Sequence, residues 1–300
     1  MVKSSSDQNN PPTDYDVAII GGGISGVYAA WRVAEVGLKS PHLQTLAQER
    51  QDGRLRIAVF ETSDRIGGRL FSSSFSGDPG PPIELGGMRF LTSHVRVHGL
   101  VNTKLGLPTR KLAVNDPNGK NLSYLRGRHF TAADWGRLSF VPPYLLDRSE
   151  RARSPGNLLI EVALRHLGGT LEALQAVGYH SEALESLRNI GFRNLMLKEM
   201  SAEAYELIRD ACGYDTLVNN WGAAEAIPFL LADFDPRLEY FALNDGFQSL
   251  PKKLAKLFDD VGPTTSLHMR HRLFRIDQTQ NGELQLTFQT DADPTGGSTG

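Results

Sequence analysis

The chain has 300 residues, 40% of them hydrophobic and 22% charged, enough to bury one or two ordinary cores. Lys and Arg number 32 against 34 Asp and Glu, a formal net charge of -2, which gives no electrostatic case for nucleic acid or an anionic membrane and points to a small-molecule partner. Cys212 is the single cysteine, so an intrachain disulfide and a cysteine-based metal site are excluded, no oxidising compartment is indicated, and the residue is expected to pack as a small hydrophobe.

Residues 1–14 are rich in Ser, Asn, Asp and Pro and lack the apolar core of a secretory signal, so they read as a disordered tail. No apolar run approaches the roughly 18 residues of a membrane span, and a cytoplasmic location is the default unless a longer precursor carries a signal. Asp16 to Ile20 (DVAII) is a short apolar run that stops at three glycines, the pattern of a buried parallel strand ending in a tight turn. Ser25 to Val36 has helical character, and the polar stretch 37–54, interrupted by Pro41 and Gly53, precedes a second buried strand at 55–60. Gly, Pro and Ser make 72–82 a loop. Helical periodicity follows at about 94–105, 157–177, 181–189, 202–212 and 250–258, with Ser201 an N-cap for the fourth of these and Ser249 for the last. Strand character returns at 266–276 and 283–289, joined by Asn281-Gly282 as a hairpin turn, and 291–300 reads as a flexible tail. His94 and His98 stand four apart with no third ligand nearby, so they read as a polar helix face and no metal site is expected.

Gly21, Gly23 and Gly26 form G-x-G-x-x-G between a strand and a helix, the context in which that spacing binds a dinucleotide. Gly21 allows the tight turn, Gly23 lets backbone approach a pyrophosphate, Gly26 lets helix and strand pack, and Ile24 and Ser25 open the helix whose N-terminus faces the diphosphate charge. Glu61, at the end of the second strand, is placed to accept hydrogen bonds from an adenosine ribose, which favours FAD or NAD over NADP. It lies 35 residues past Gly26 rather than about 20, so 37–54 must be a surface insertion, which closure entropy tolerates.

The next segment, Glu61 to Arg69 (ETSDRIGGR), resembles the E-x-x-x-R-x-G-G-R motif of the flavin amine oxidase and phytoene desaturase superfamily. The resemblance implies FAD, held non-covalently, with Arg65, Gly67, Gly68 and Arg69 along its diphosphate and ribityl chain. Glu84 to Phe90 (ELGGMRF) corresponds to the segment that runs beside the flavin ring, which brings Gly86, Gly87 and Met88 to the cofactor. Its Gly-Met-Arg form resembles L-amino-acid oxidases and the related monooxygenases, in which the arginine matching Arg89 grips the substrate carboxylate. A planar guanidinium suits that task because it offers two parallel donors and does not lose its proton. Residues 245–251 (DGFQSLP) resemble the family's G-x-x-x-L-P turn, and 271–276 (HRLFRI) the strand that meets the adenine, which makes Leu273 a further cofactor candidate.

The implied architecture is α/β: a Rossmann-like FAD-binding domain (15–90 and 239–300) interrupted by an inserted, mainly helical substrate-side region (91–238). The implied reaction is FAD-dependent oxidative deamination of an L-amino acid by O2, giving a keto acid, ammonia and hydrogen peroxide. An amino-acid monooxygenase, an amine or polyamine oxidase, and an FAD-binding subunit silent on its own remain open alternatives. Family members are longer, and the segments carrying a flavin-facing lysine and a C-terminal Gly-rich motif are missing. The sequence therefore reads as a truncated segment or as one polypeptide of a multi-chain enzyme, with a second polypeptide or a homo-oligomer left open.

Overall fold

The computed structural model describes residues 2–5, 13–74, 80, 82–112, 121–137, 139–151, 153–167, 182–212, 220–233 and 239–290. The chain divides into two compact units, Met1–Leu112 with Glu239–Gly300, and 113–238. The first boundary falls after Leu112 rather than after residue 90. The reason is a sheet that the sequence did not reveal: β8 (Thr109–Leu112) and β7 (Phe90–Leu91) flank β11 (Tyr240–Leu243) on its two edges, tying 90–112 to the returning segment.

The first unit is built on a parallel sheet. β3 (Val17–Ile20) pairs with β4 (Ile57–Phe60) from Val17↔Ile57 to Ile20↔Phe60, and β12 (Thr265–His268) covers the other edge of β4. All four residues of β4 are buried, as a strand covered on both faces requires. Alternation sends Ile57 and Val59 to one face, where they pack with Val27 and Trp31 of α1 (Ile24–Val36) and with Leu250, Leu254 and Phe258. Those last three recur every fourth residue on the helix Ser249–Asp259 and form its core stripe. Ala58 and Phe60 point to the other face and pack with Tyr15, Leu286 and Phe288. That face is a second sheet of order β13-β14-β1-β2, where β13 is His271–Gln278, β14 Leu284–Thr290, β1 Val2–Ser5 and β2 Thr13–Tyr15. Phe60 stacks on Phe288 at 4.2 Å and on His268 at 4.7 Å between ring centres.

Several expectations change. Val2–Ser5, read as part of a disordered tail, is a strand running parallel to β14, whose edge supplies backbone partners that composition cannot reveal. Pro41 does not interrupt a loop: it starts α2 (Pro41–Gln48) at the first helical position, where a missing N–H costs nothing. Helical character at 94–105 resolves into α3 (Val95–His98) and a π-helical turn at Gly99–Lys104. Ser249 lies inside its helix, with Gln248 at the cap position and the Ser249 hydroxyl donating back to the Gly246 carbonyl at 2.6 Å. The single strand at 266–276 is two, separated where Arg270 takes φ 59. The expected extensions at 168–177 and the tail at 291–300 lie outside the described residues.

The second unit has a hairpin, β9 (Leu122–Leu125) with β10 (Arg128–Thr131), turned through Arg126 and Gly127 with φ 45 and 78, the signature of a two-residue primed turn. Its helices, Pro155–Leu167, Glu182–Glu185, Phe192–Glu199, Ala202–Cys212 and Ala223–Asp233, meet around Val162, Met196, Leu207 and Ile227. Ser201 caps the fourth of these, its hydroxyl accepting from the Ala204 N–H at 3.1 Å. Cys212 is mostly buried, and that burial pushes its thiol up to about 11, as expected of an inert packed cysteine. Among the described residues no helix is long and apolar enough to cross a membrane.

Phe258 is fully buried between α1 and the parallel sheet. Phe258→Ala should therefore lower the unfolding free energy by about 3–5 kcal/mol, read as a shift in the denaturant midpoint. A change under about 1 kcal/mol would mean that this core is not the one the chain folds around.

Candidate cofactor site

The loop from β3 to α1 contains glycines of two kinds. A Cβ on Gly26 would stand 1.9 Å from the Gly21 carbonyl oxygen, so helix packing on the turn imposes glycine there. Gly23 has an ordinary extended backbone (φ -70, ψ 174), and a Cβ on it would meet nothing nearer than the Gly68 Cα at 3.9 Å. Among the described residues nothing demands glycine at position 23. What its missing side chain does is keep clear the space at the start of α1, where Ile24 and the exposed Ser25 open a helix with no acidic residue in its first turn. A helix start of this kind can receive an anionic group.

Glu61 follows β4 and reaches across to that loop. Its Oε2 accepts from the Gly22 N–H at 2.6 Å, and its Oε1 accepts from the Ser63 N–H at 2.8 Å and the Ser63 hydroxyl at 2.7 Å. Burial opposes ionisation, but the Ser63 and Gly22 hydrogen bonds and the nearby Arg65 charge outweigh it and hold the carboxyl below the usual glutamate range. Gly67 donates to the Gly22 carbonyl at 3.0 Å, so the segment Glu61 to Arg69 lies against the glycine loop. Within it, Arg65 donates to the Gly68 carbonyl at 2.9 Å and stacks over Phe71 at 4.5 Å. Its Nη1 is buried with no hydrogen-bond partner among the described residues. A buried unpaired donor costs about 1–3 kcal/mol, a deficit that an anionic oxygen from a bound group would remove.

Residues 83–89 run back along 69–73. β5 (Ser72–Ser73) pairs with β6 (Ile83–Glu84), and Gly87 donates to the Arg69 carbonyl at 3.3 Å. A Cβ on Gly86 would lie 1.8 Å from the Arg69 carbonyl oxygen, so this glycine has an intramolecular cause and not only the cofactor approach inferred from sequence. At Gly87 the nearest atom is a flexible Leu70 methyl at 2.7 Å. Leu85 and Met88 are exposed, at 63% and 50%. Arg89 is half-buried, and its guanidinium lies 4.3 Å over the ring of Tyr240, a buried residue opposite Leu91 in the β7–β11 pair. Leu273 is half-buried against the Phe60 cluster, beside a register shift in β13. It joins the site only through the start of its strand, where His271 donates to the Glu61 carbonyl at 2.8 Å.

Sequence reasoning missed four residues. Ser63 was legible, since a serine two positions after a carboxylate is a common local hydrogen-bond partner. Glu84, Gln248 and Tyr240 were not. Glu84 accepts from the Phe247 N–H and the Ser72 hydroxyl, both at 2.7 Å, while buried Gln248 donates to the Ile66 carbonyl at 2.8 Å. The Phe247–Glu84 and Gln248–Ile66 bonds join segments more than 160 residues apart, which no local pattern signals.

Residues 24–295 match the family described as flavin containing amine oxidoreductase. The chain belongs to that family. FAD is accordingly its cofactor, and the clear space at Gly23 together with the unpaired Arg65 Nη1 fits a group carrying a diphosphate. The chain is 26% identical to Achacin of Lissachatina fulica over 91% of its own length and 48% of that protein's. It is 23% identical to Aplysianin-A of Aplysia kurodai over 96% of its length and 49% of that protein's. It thus spans about half the length of both. A shorter stretch, 38% of the chain, is 32% identical to tryptophan 2-monooxygenase of Rhizobium rhizogenes, covering 13% of that protein. Among solved structures, a redesigned putrescine oxidase superposes with a TM-score of 0.55 at 16% identity, covering 92% of this chain and 57% of the other, a likeness of fold.

Gly23→Ala should abolish FAD binding while leaving apoprotein stability near wild type, whereas Gly26→Ala should lose both, because only the second clashes with backbone. Flavin absorbance and a denaturation curve on each variant check this; retained flavin in Gly23→Ala refutes the loop assignment. Glu61, with its lowered pKa, contributes stability that is fully present above about pH 4.3, the ordinary glutamate value, and is lost as pH falls through the lowered one. Glu61→Gln should flatten that acid limb, and an unchanged stability–pH curve would show that the carboxylate does not brace the loop.

Proposed function

We propose that this chain is the FAD-binding part of an L-amino-acid oxidase, and that Arg89 holds the substrate carboxylate. The supporting observation is the Gly-Met-Arg turn itself. Its arginine lies on the face of buried Tyr240, which fixes the plane in which the guanidinium N–H donors point. A neutral residue there would suit an amine, whereas a fixed guanidinium suits a substrate that carries a carboxylate. Kinship with an enzyme named for tryptophan supports the amino-acid class.

In this reading Gly21, Gly23, Ile24, Ser25 and Gly26 receive the FAD diphosphate at the start of α1, Glu61 accepts from the ribose hydroxyls, and Arg65, Gly68 and Arg69 line the path toward the ring. Gly86, Gly87 and Met88 border the ring, and the start of β13, near Leu273, lies toward the adenine. Bound FAD supplies the acceptor for the hydride of the substrate Cα. Arg89 fixes the carboxylate and so restricts which Cα hydrogen is presented, the entropic part of catalysis. Hydrolysis of the resulting imino acid gives a keto acid and ammonia, and O2 leaves as hydrogen peroxide. Because the chain spans about half of Achacin and Aplysianin-A, turnover is proposed for the assembly that contains the rest of the enzyme.

In that assembly Arg89→Ala should raise the Michaelis constant for amino acids at least about tenfold, since a charged hydrogen bond contributes roughly 1.5–3 kcal/mol and 1.4 kcal/mol is one decade. Arg89→Lys should restore only part, because a point charge lacks the planar fork. Flavin content should remain at the wild-type level in both variants. If amines lacking the carboxylate turn over as well as amino acids, or if Arg89→Ala leaves amino-acid kinetics unchanged, the amino-acid reading fails and an amine oxidase takes its place.

A further inference from the structure

The turn at 245–251 brings the chain back into the cofactor unit and meets the segment that follows Arg65. Its Gly246 takes φ 82, and a Cβ there would stand 2.5 Å from the Ser72 hydroxyl, so glycine lets Ser72 approach the turn. Ser72 is then gripped from two sides. Its hydroxyl donates to Glu84 Oε2 at 2.7 Å and accepts from the Gln248 N–H at 3.0 Å, while Glu84 Oε1 accepts from the Phe247 N–H at 2.7 Å. The Gln248 side chain runs the other way and donates from Nε2 to the Ile66 carbonyl at 2.8 Å. One residue thus holds both ends of 67–71, Ile66 through its side chain and Ser72 through its backbone. Among the described residues Gln248 is the only buried amide side chain, at 4% exposure, in a place where an apolar residue would need no partner.

The loop between those two anchors does little to hold itself. Gly67 and Gly68 take φ 133 and 56, and its internal backbone bond runs from the Leu70 N–H to the Gly67 carbonyl at 3.0 Å. Arg65 depends on this loop. Its guanidinium donates to the Gly68 carbonyl at 2.9 Å and stacks on Phe71 at 4.5 Å, with Nη1 left buried and without a partner among the described residues. Gly68 also walls the space that Gly23 keeps clear, its Cα lying 3.9 Å from where a Gly23 Cβ would be. A shift of the loop therefore moves both the donor and the wall. We propose, resting on the cofactor assignment above, that Gln248 is a positioning residue for FAD: its buried amide holds 67–71 against the glycine loop, so that Arg65 Nη1 is set for an anionic oxygen before the cofactor arrives. Preorganisation of this kind lowers the ordering cost of binding. Without the amide the loop must be ordered as FAD binds, and the Ile66 carbonyl loses its Gln248 donor.

The test uses the assembled enzyme, stripped of flavin and titrated with FAD. Gln248→Met keeps the length of the side chain and removes the amide, so it should raise the FAD dissociation constant about tenfold, the factor for one lost hydrogen bond. In the apoprotein the Gly67 amide, bonded to the Gly22 carbonyl, and the Leu70 amide should exchange faster by a similar factor. The Ile57 amide, bonded to the Thr264 carbonyl within the parallel sheet, should keep its rate and so report that the variant is folded. Gln248→Glu supplies a readout that packing alone would not move. The introduced carboxyl, in a network whose charged members are Arg65 and Glu84, can donate to the Ile66 carbonyl only when protonated. The ratio of its dissociation constant to the wild-type value should therefore fall as pH is lowered from about 7 to about 5, the range in which a buried carboxyl takes up its proton. If Gln248→Met does not fold, that ratio decides alone. Wild-type FAD affinity or unchanged Gly67 and Leu70 exchange in a folded Gln248→Met, or a Gln248→Glu ratio that does not vary with pH, overturns the proposal. Gly23→Ala in the same titration separates this failure from that of the cofactor assignment, which falls if that variant keeps wild-type affinity.

Discussion

The Glu61 carboxylate is the contact on which the cofactor unit depends. One oxygen takes the Gly22 N–H and the other takes two donors from Ser63, so a single side chain fixes the β3–α1 loop against the end of β4. Backbone bonds from Gly21 to the Phe60 carbonyl and from Gly67 to the Gly22 carbonyl assist it, while the loop's glycines contribute no side chains and its turn is a conformation that few residues adopt. Remaining ionised in partly buried surroundings takes all three bonds, and the lowered pKa reflects them. A carboxylate has about four acceptor directions, so after three internal bonds it retains capacity for a hydroxyl from a ligand. The same group can thus brace the loop and read a ribose.

The glycines around this contact separate structural cause from functional cause. Gly26 and Gly86 are excluded from bearing a side chain by carbonyl oxygens at 1.9 and 1.8 Å, so their identity says nothing about a ligand. Gly23 has room for a methyl group and a relaxed backbone. A glycine that the fold does not need, at the start of a helix and beside an arginine with a buried unpaired donor, is best explained by something that the fold itself does not contain. The spacing of the fingerprint assigned Gly26 to helix packing and Gly23 to a ligand, and the geometry separates the two in the same way.

What sequence reveals here is what is local. The strand–glycine–helix unit, the ETSDRIGGR segment and the helices at 202–212 and 249–259 were legible because each is set by adjacent residues and a short period. The β7-β11-β8 sheet was not, because its strands of two to four residues are too short for alternation to stand out and gain their stability from partners about 130 to 150 residues away. The first strand failed for a related reason: a polar run such as Val2–Ser5 becomes a strand only because the β14 edge is beside it. In the candidate site the charged and glycine positions were visible, but Tyr240, Glu84 and Gln248, which hold them in place, were not.

Arg89 shows why that supporting layer matters. A guanidinium on a flexible chain supplies charge but little orientation, and orienting it costs up to about 2 kcal/mol of side-chain entropy. Placing it on the Tyr240 ring meets part of that cost in advance, so in the role proposed for Arg89 more of a carboxylate's binding energy would go into positioning the Cα. Tyr240 occupies that position only because β11 pairs with β7, which brings residues 91 and 240 opposite each other. The motif behind the proposed substrate class is therefore local in sequence, while the setting of its arginine comes from a strand that follows residues 113–238 in the chain.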